Sequence, residues 1–345
     1  IAKVVEAHTF GTLTALHGDV PFGQAAAGES NLNPEFQGQM SIYQGVIDSL
    51  DAAISDLEAG GISPGGLEVF YNGDAAPWIE LANTLKARYL LHMGQYDAAL
   101  TAAQSGISAP SNNMVAPHGN SNYVDANPFY LFHDIERSGY LTANDSHAAR
   151  LLDASTDAYR GNAKTDESAR FSNYFVTTEA GYDLNTGEGG YFGQATDYTL
   201  VSYVENELIK AEATLQSGGS AADALAALNN ARAANAEAFS GSTYEAYELA
   251  DFADGGIANP GGMSQENALL TEILEEKYLS LMAHIEAFND VRRTDNFIGI
   301  PVKGQQLIER FLIAQVEVNA NANAPEPIPG RFEATAANEG TYSGM

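Results

Sequence analysis

The chain has 345 residues, 45% apolar and 18% charged, a composition that suits a globular protein with a large core, built as two domains or as one elongated repeat body. Sixteen basic against 45 acidic residues give a formal charge of −29, spread along the chain, which would repel a phosphate backbone and argues against nucleic acid as a partner. There is no cysteine, which removes disulfides, thiolate metal sites, thiol nucleophiles and any lipid-bearing Cys from this chain, and no apolar run approaches the roughly 20 residues of a membrane-spanning helix.

Ile1-Ala2-Lys3-Val4-Val5 starts without an initiator Met and runs straight into helical text, so the sequence reads as lacking its natural N-terminus. Helices are expected over about 1–17 and 36–58, the second with Tyr43, Ile47, Leu50, Ile54 and Leu57 on one apolar stripe. The next, 77–93, opens on Pro77, whose missing N–H is not needed in a first turn. Trp78, Leu81, Leu85, Tyr89 and His92 recur along it, Gly94-Gln95-Tyr96 breaks it, and a partner helix follows over 95–106. The small residues Ala87, Ala99 and Gly106 are spaced 12 and 7 apart, as in the close-packed helix pairs of a tetratricopeptide repeat. After a helix at 142–154 the pattern returns in 198–216 and 221–236, where Ala211, Ala224 and Ala231 are spaced 13 and 7 around Gly218-Gly219-Ser220. The last expected helices are 264–292, with the stripe Ile273, Leu274, Tyr278, Leu281, Ile285 and Phe288, and 303–312; residues 320–345 read as an extended surface tail.

Three long irregular stretches, 107–141, 155–197 and 237–263, are rich in Asn, Ser, Gly, Asp and Tyr. Segments this long are functional or disordered, and their aromatic content argues for order. Tyr123, Tyr130, Phe132, Tyr182, Tyr191 and Phe192 are the candidate ligand-binding residues, able to stack on sugar rings or peptide side chains while Asn, Asp and Gln orient the ligand.

Catalytic chemistry has little support. No short pattern singles out a carboxylate pair, and the seven His residues show no helical metal-ligand spacing. Asp251 and Asp254, and Asp153, Asp157 and Asp166, do not fit a twelve-residue calcium loop and read as solvated acidic loops. Gly189-Gly190-Tyr191-Phe192-Gly193 lacks the strand and the Lys-Ser/Thr of a phosphate cradle. Arg292 and Arg293 read as structural ion-pair partners amid Glu286, Asp290 and Asp295, and Trp78 as a core residue.

Several short texts occur in an ordered series: Leu16-His17-Gly18-Asp19-Val20-Pro21-Phe22; Asn33-Pro34 followed by Ile42-Tyr43 and Leu50-Asp51-Ala52-Ala53-Ile54; Trp78 to His92; Asn127-Pro128-Phe129-Tyr130; Ala169-Arg170-Phe171 with Tyr174-Phe175; Tyr203-Val204-Glu205 with Ala211-Glu212-Ala213; and Glu276-Lys277 with Glu286 to Thr294. Together they resemble the SusD/RagB family of surface lipoproteins, nutrient-capturing partners of TonB-dependent transporters in Bacteroidetes. Phe288 stands where the family commonly has Trp, and Glu317 follows Ala314-Gln315-Val316 where it often has Pro-x-Ser-Glu. The N-terminal portion expected of the family, with its acylated Cys, is not in this text.

The expected fold is all-α, an array of tetratricopeptide-like helix pairs with long irregular loops. Residues 1–345 are expected to form a single SusD-like domain lacking its N-terminal portion, with a helical body over about 1–106, 198–236 and 264–312 and a loop-rich, ligand-facing part over about 107–197 and 237–263. The resemblance implies a lipid-anchored protein on the cell-surface side of the outer membrane, delivering an oligosaccharide to a SusC-like TonB-dependent transporter barrel, with no catalysis, cofactor or metal. The alternatives are a peptide-binding member of the family, a helical-repeat scaffold for protein partners and, last, a glycoside hydrolase.

Overall fold

The computed structural model describes residues 1–304, 306–340 and 342. Its first half-body consists of α1 (Ala2–His17), α2 (Gln39–Ala59), α3 (Ala75–His92) and α4 (Tyr96–Ala103). Asp74 caps α3 by accepting a hydrogen bond from the Ala76 N–H, and Gly94, with φ of 67°, turns the chain into α4. The loop region contributes α5 (Pro128–Tyr130), which continues as a π-helical turn over Leu131–Glu136, then α6 (His147–Leu152) and α7 (Ser168–Tyr174). The second half-body is α8 (Tyr203–Gln216), α9 (Ala221–Ala238), α10 (Gln265–Ser280) and α11 (Ile285–Arg293), and a short α12 (Gln315–Ala320) lies in the C-terminal segment. Ser202 and Ser220 cap α8 and α9 through their hydroxyls.

Consecutive helices pack in pairs, and the array is continuous: α1 on α2, α2 on α3, α3 on α4, α4 on α8, α8 on α9 and on α10. The small residues of the repeat spacing are where the backbones meet. Ala87, Ala99, Ala211, Ala224 and Ala231 are fully buried, and a Cβ on Gly106 would stand 2.3 Å from Asn206 Oδ1. One core centres on Tyr43, Leu50, Trp78 and Leu85, a second on Leu208, Leu228, Phe252 and Ile273. The fold is all-α in character, with strands confined to short antiparallel pairs: β1 (Val20–Pro21) with β2 (Phe36–Gln37), β3 (Met114–Ala116) with β7 (Tyr198–Val201), β4 (Thr165–Asp166) with β8 (Thr243–Tyr244), and the hairpin β5 (Phe175–Thr178) with β6 (Gly181–Leu184).

Buried ion pairs join the helices. The Arg88 guanidinium of α3 donates two hydrogen bonds, of 2.6 and 2.7 Å, to the carboxylate of Glu205 on α8. Arg293 of α11 does the same to Glu212 of α8, at 2.6 Å for each bond. His92 Nε2 lies 2.8 Å from Glu286, and Arg170 donates to Glu276 at 2.8 Å. The ion pairing expected of Arg293 is thus found, with Glu212 and Asp290, whereas Arg292 serves a structural role through the carbonyls of Ala15 and Glu309 instead of through a carboxylate.

Four expectations about elements need correction. The single helix 264–292 is two, separated at Leu281–His284, where Ala283 adopts a φ of 59° and the His284 ring caps α11 by accepting from Glu286 N–H. The helix expected over 303–312 is absent over 306–312; that stretch runs extended beside α1, with Phe311 N–H donating to the Leu16 carbonyl at 2.8 Å, and Gln305 lies outside the described residues. Residues 198–201, read as the start of a helix, form β7 because they pair with β3. The helix at 142–154 shrinks to α6, while α5, its π-turn, α7 and α12 lie in segments without helical periodicity.

The long irregular stretches have a core of their own. Leu151, Leu152, Tyr174, Phe175, Phe192 and Leu279 bury one another, so the loop region is ordered by aromatic packing. The tail behaves as expected over its described part: Asn321 donates to the Pro34 carbonyl and Ala337 N–H to the Gln39 side chain, which ties it to the start of α2.

Candidate functional site

The best-displayed cluster of aromatic residues starts at Asn127. Its side chain caps α5 by accepting from Phe129 N–H at 2.9 Å, and its amide donates to the Thr196 carbonyl at 2.9 Å, so the start of the turn is pinned at both ends. The helix then widens into the π-turn, which closes where Arg137 N–H donates to the Phe132 carbonyl. Phe132 is 43% exposed on this turn, with Ile135 also exposed beside it. Tyr123, 69% exposed and with φ of 64°, lies beside the same turn, where the interaction of its hydroxyl with the Glu136 carboxylate holds the phenol above its ordinary value. Tyr140, 77% exposed, has the Arg137 guanidinium 5.6 Å from its ring centre.

His133 joins this turn to the β5–β6 hairpin. Its Nδ1 lies 2.5 Å from Asp134 and its Nε2 2.9 Å from Asp183 of β6, and Asp134 also accepts from Thr186. Partial burial pushes the imidazole pKa down, but the hydrogen bonds and charges of the two carboxylates outweigh it and hold the ring above its usual 6.5. The result is a platform of exposed rings with acceptors and donors between them, braced from behind.

The six candidate aromatics divide. Tyr123, Tyr130 and Phe132 lie on or beside the π-turn, Tyr130 half-buried. Tyr182 is half-buried on the hairpin, its hydroxyl donating to Asp153 at 2.6 Å and its ring edge-on to Phe171. Tyr191 is largely enclosed: its ring meets Tyr174 with centroids 4.9 Å apart, its hydroxyl donates to the Met282 carbonyl, and burial pushes its pKa far up. Phe192 is 1% exposed and wedged between Phe129 and Tyr191, so it supports the loop core and offers no face to a ligand. Ile135, Tyr140, His133 and Asp183 were not among the candidates. Tyr140 shares the aromatic loop, but nothing in the sequence pairs His133 with a residue on a distant hairpin.

Elsewhere a concavity of about 440 Å³ lies between α10, α11 and residues 300–303 and 306–308, lined mainly by apolar groups such as Met282, Phe288, Val291, Ile300 and Leu307. It has few polar groups to orient a hydroxyl-rich ligand, which the platform has in number.

Stacked helix pairs presenting polar-flanked aromatics from braced loops define a helical-repeat binding protein. The chain belongs to the SusD-like family, described as starch-binding and associating with the outer membrane, which residues 1–300 match. Among solved structures it is similar to a SusD/RagB family protein from Bacteroides thetaiotaomicron, at 20% identity and TM-score 0.65, over 99% of this chain and 80% of the other. It is also similar to a SusD homologue from Bacteroides fragilis, at 16% identity and TM-score 0.68, covering 98% and 83% of the two chains. A chitin-binding SusD homologue from Flavobacterium johnsoniae matches at 14% identity and TM-score 0.65, over 99% and 81%. These likenesses establish the fold. No curated protein matches the chain. Among the described residues no helix is long and apolar enough to cross a membrane.

Proposed function

We propose that this protein captures an oligosaccharide at the cell surface, on the platform formed by Tyr123, Phe132 and Tyr140, and passes it to a SusC-like TonB-dependent transporter barrel in the outer membrane, where a lipid anchor outside this sequence holds it. Family membership supports nutrient binding and the outer-membrane location. The observation that carries the site is the exposure of three rings around a turn that is fixed by Asn127 and His133, with Glu136, Asp134 and Arg137 between them. Rings held this way can stack on the apolar faces of sugars, and the interleaved polar groups can bind hydroxyls. The ligand-facing part is then the loop-rich residues 107–197 and 237–263, within which Tyr191 and Phe192 serve by packing.

The test is calorimetry with malto-oligosaccharides, chito-oligosaccharides and short peptides. Tyr123→Ala is expected to weaken binding of the best oligosaccharide by about 1–3 kcal/mol, the usual loss for a binding hot spot, with an unchanged melting temperature. Peptide binding in place of sugar binding, or wild-type affinity in the variant, would refute the assignment. The partner is tested by purification from native outer membranes, which should bring down a large β-barrel; recovery without one removes the transporter from the proposal.

A further inference from the structure

Of the platform rings, Phe132 stands on one six-residue π-turn, Leu131–Glu136, Tyr123 lies against its last residue Glu136, and Tyr140 is held by Arg137, which caps the turn. A π-turn is a marginal structure that persists only where something outside it fixes its shape. Asn127 fixes its start, and on the hairpin side its ties are the His133 ring and the bond from Thr186 to Asp134. His133 is the one residue of the turn whose side chain reaches β6, through Asp183 Oδ1 at 2.9 Å, while its other nitrogen is taken by Asp134. Asp183 is held in register by the β5–β6 ladder, opposite Val176, and its carboxylate accepts from Leu184 N–H. A neutral imidazole has one N–H and can donate to only one of the two carboxylates; an imidazolium donates to both.

We propose that His133 is a positioning residue of the binding platform: as an imidazolium it clasps the π-turn onto the β5–β6 hairpin, and loss of its proton releases the turn and lowers the platform's affinity for its oligosaccharide. This rests on the functional reading of the platform given above. The charged groups facing the ring are Asp134 on its own turn and Asp183 on the hairpin; Thr186, on the segment after the hairpin, offers only a hydroxyl, to Asp134. Glu136 is occupied by Tyr123, and Arg137 lies over Tyr140. Both facing groups are carboxylates, so the folded site favours the charged ring. The clasp is therefore complete below the ordinary imidazole value of 6.5 and is lost as pH rises through the elevated folded value.

The experiment measures oligosaccharide affinity from pH 5.5 to about 9 for the wild type, His133→Gln and Asp183→Asn, using whichever malto- or chito-oligosaccharide binds best. Amide hydrogen exchange of residues 131–137, corrected for intrinsic rates, is followed in the unliganded proteins over the same range. The wild type should lose affinity by up to roughly tenfold per unit of coupled pKa shift as pH rises, with exchange protection falling in parallel. His133→Gln should be weak and flat across the range, and Asp183→Asn should move the transition to lower pH, because one of the two stabilising charges has gone. His133→Gln titrating like the wild type, or protection that ignores pH in the wild type, overturns the clasp. A folded wild type that binds no oligosaccharide at any pH refutes the functional reading and the affinity half of this proposal together, while the exchange data still decide whether the clasp exists.

Discussion

Removing the ring of Tyr191 is expected to weaken folding, and removing that of Phe132 to weaken binding. Tyr191 packs edge-on against Tyr174 and Phe192 inside the loop core, and truncation to Ala should lower stability by about 3 kcal/mol through lost burial and the cavity left behind. Phe132 is 43% exposed, and its truncation should cost stability much less, about 1 kcal/mol. Thermal melts of the two variants check this, and equal drops would mean that Phe132 packs in solution. The sequence could not separate the two. Both are aromatics in aperiodic loops, and without a helical or strand period no rule assigns a face; which rings turn inward was decided when Tyr174, Phe175 and Phe192 closed on Leu151 and Leu279.

At the scale of elements the reverse holds. The period of a helix fixes which residues face a neighbour, and close approach of two helices demands small side chains at the crossing, so the Ala87 and Ala211 spacings identified the paired helices from text alone. Ala211 is fully buried where α8 packs on α9 and α10, and Ala211→Leu is expected to destabilise by about 1–3 kcal/mol through overpacking; an unchanged melting temperature would count against the stacked pairs. The boundaries were less legible. The apolar stripe from Ile273 to Phe288 keeps helical spacing across the break at Ala283, although α11 buries its polar side, Glu286, Asn289, Asp290 and Arg292, and leaves Ile285 and Phe288 half-buried, so periodicity continued where the backbone did not.

Across the whole molecule, the motifs that marked the family prove to be its internal ties. Glu205, Glu212, Glu276, Glu286 and Arg293 all lie in those texts, and each is buried in a pair that joins distant segments. That explains why the sequence disclosed the fold while staying silent about the ligand. The same pairs set the response to acid. Burial pushes Glu286 up, but the charges of His92 and Arg88 prevail and hold it well below its usual 4.5; Asp290 is lowered likewise by Arg293 and Lys277 against its own burial. A carboxyl with a depressed folded pKa contributes stability that is complete above its unfolded value and lost as pH falls through the folded one. His8, kept neutral down to about 3 by burial and by Arg88, adds to the loss from its ordinary 6.5 downward. The melting temperature should therefore fall steadily in acid, and Glu286→Gln should lower it at pH 7 while flattening its dependence below pH 4.5. An unaltered acid slope in that variant would exclude Glu286 as a contributor.

The segment 306–340 returns to the first helices: Phe311 bonds Leu16, Asn321 bonds Pro34 and Ala337 bonds Gln39. On the ribosome those partners emerge far apart in time, with 287 residues of separation between Pro34 and Asn321. Helices α1 to α4 can collapse early as local pairs, yet the edge of α1 that Phe311 covers stays open until residues 306–312 have been made. Order of birth and order of completion are thus opposed. A nascent chain paused before residue 306 would present the open flank of α1 to chaperones.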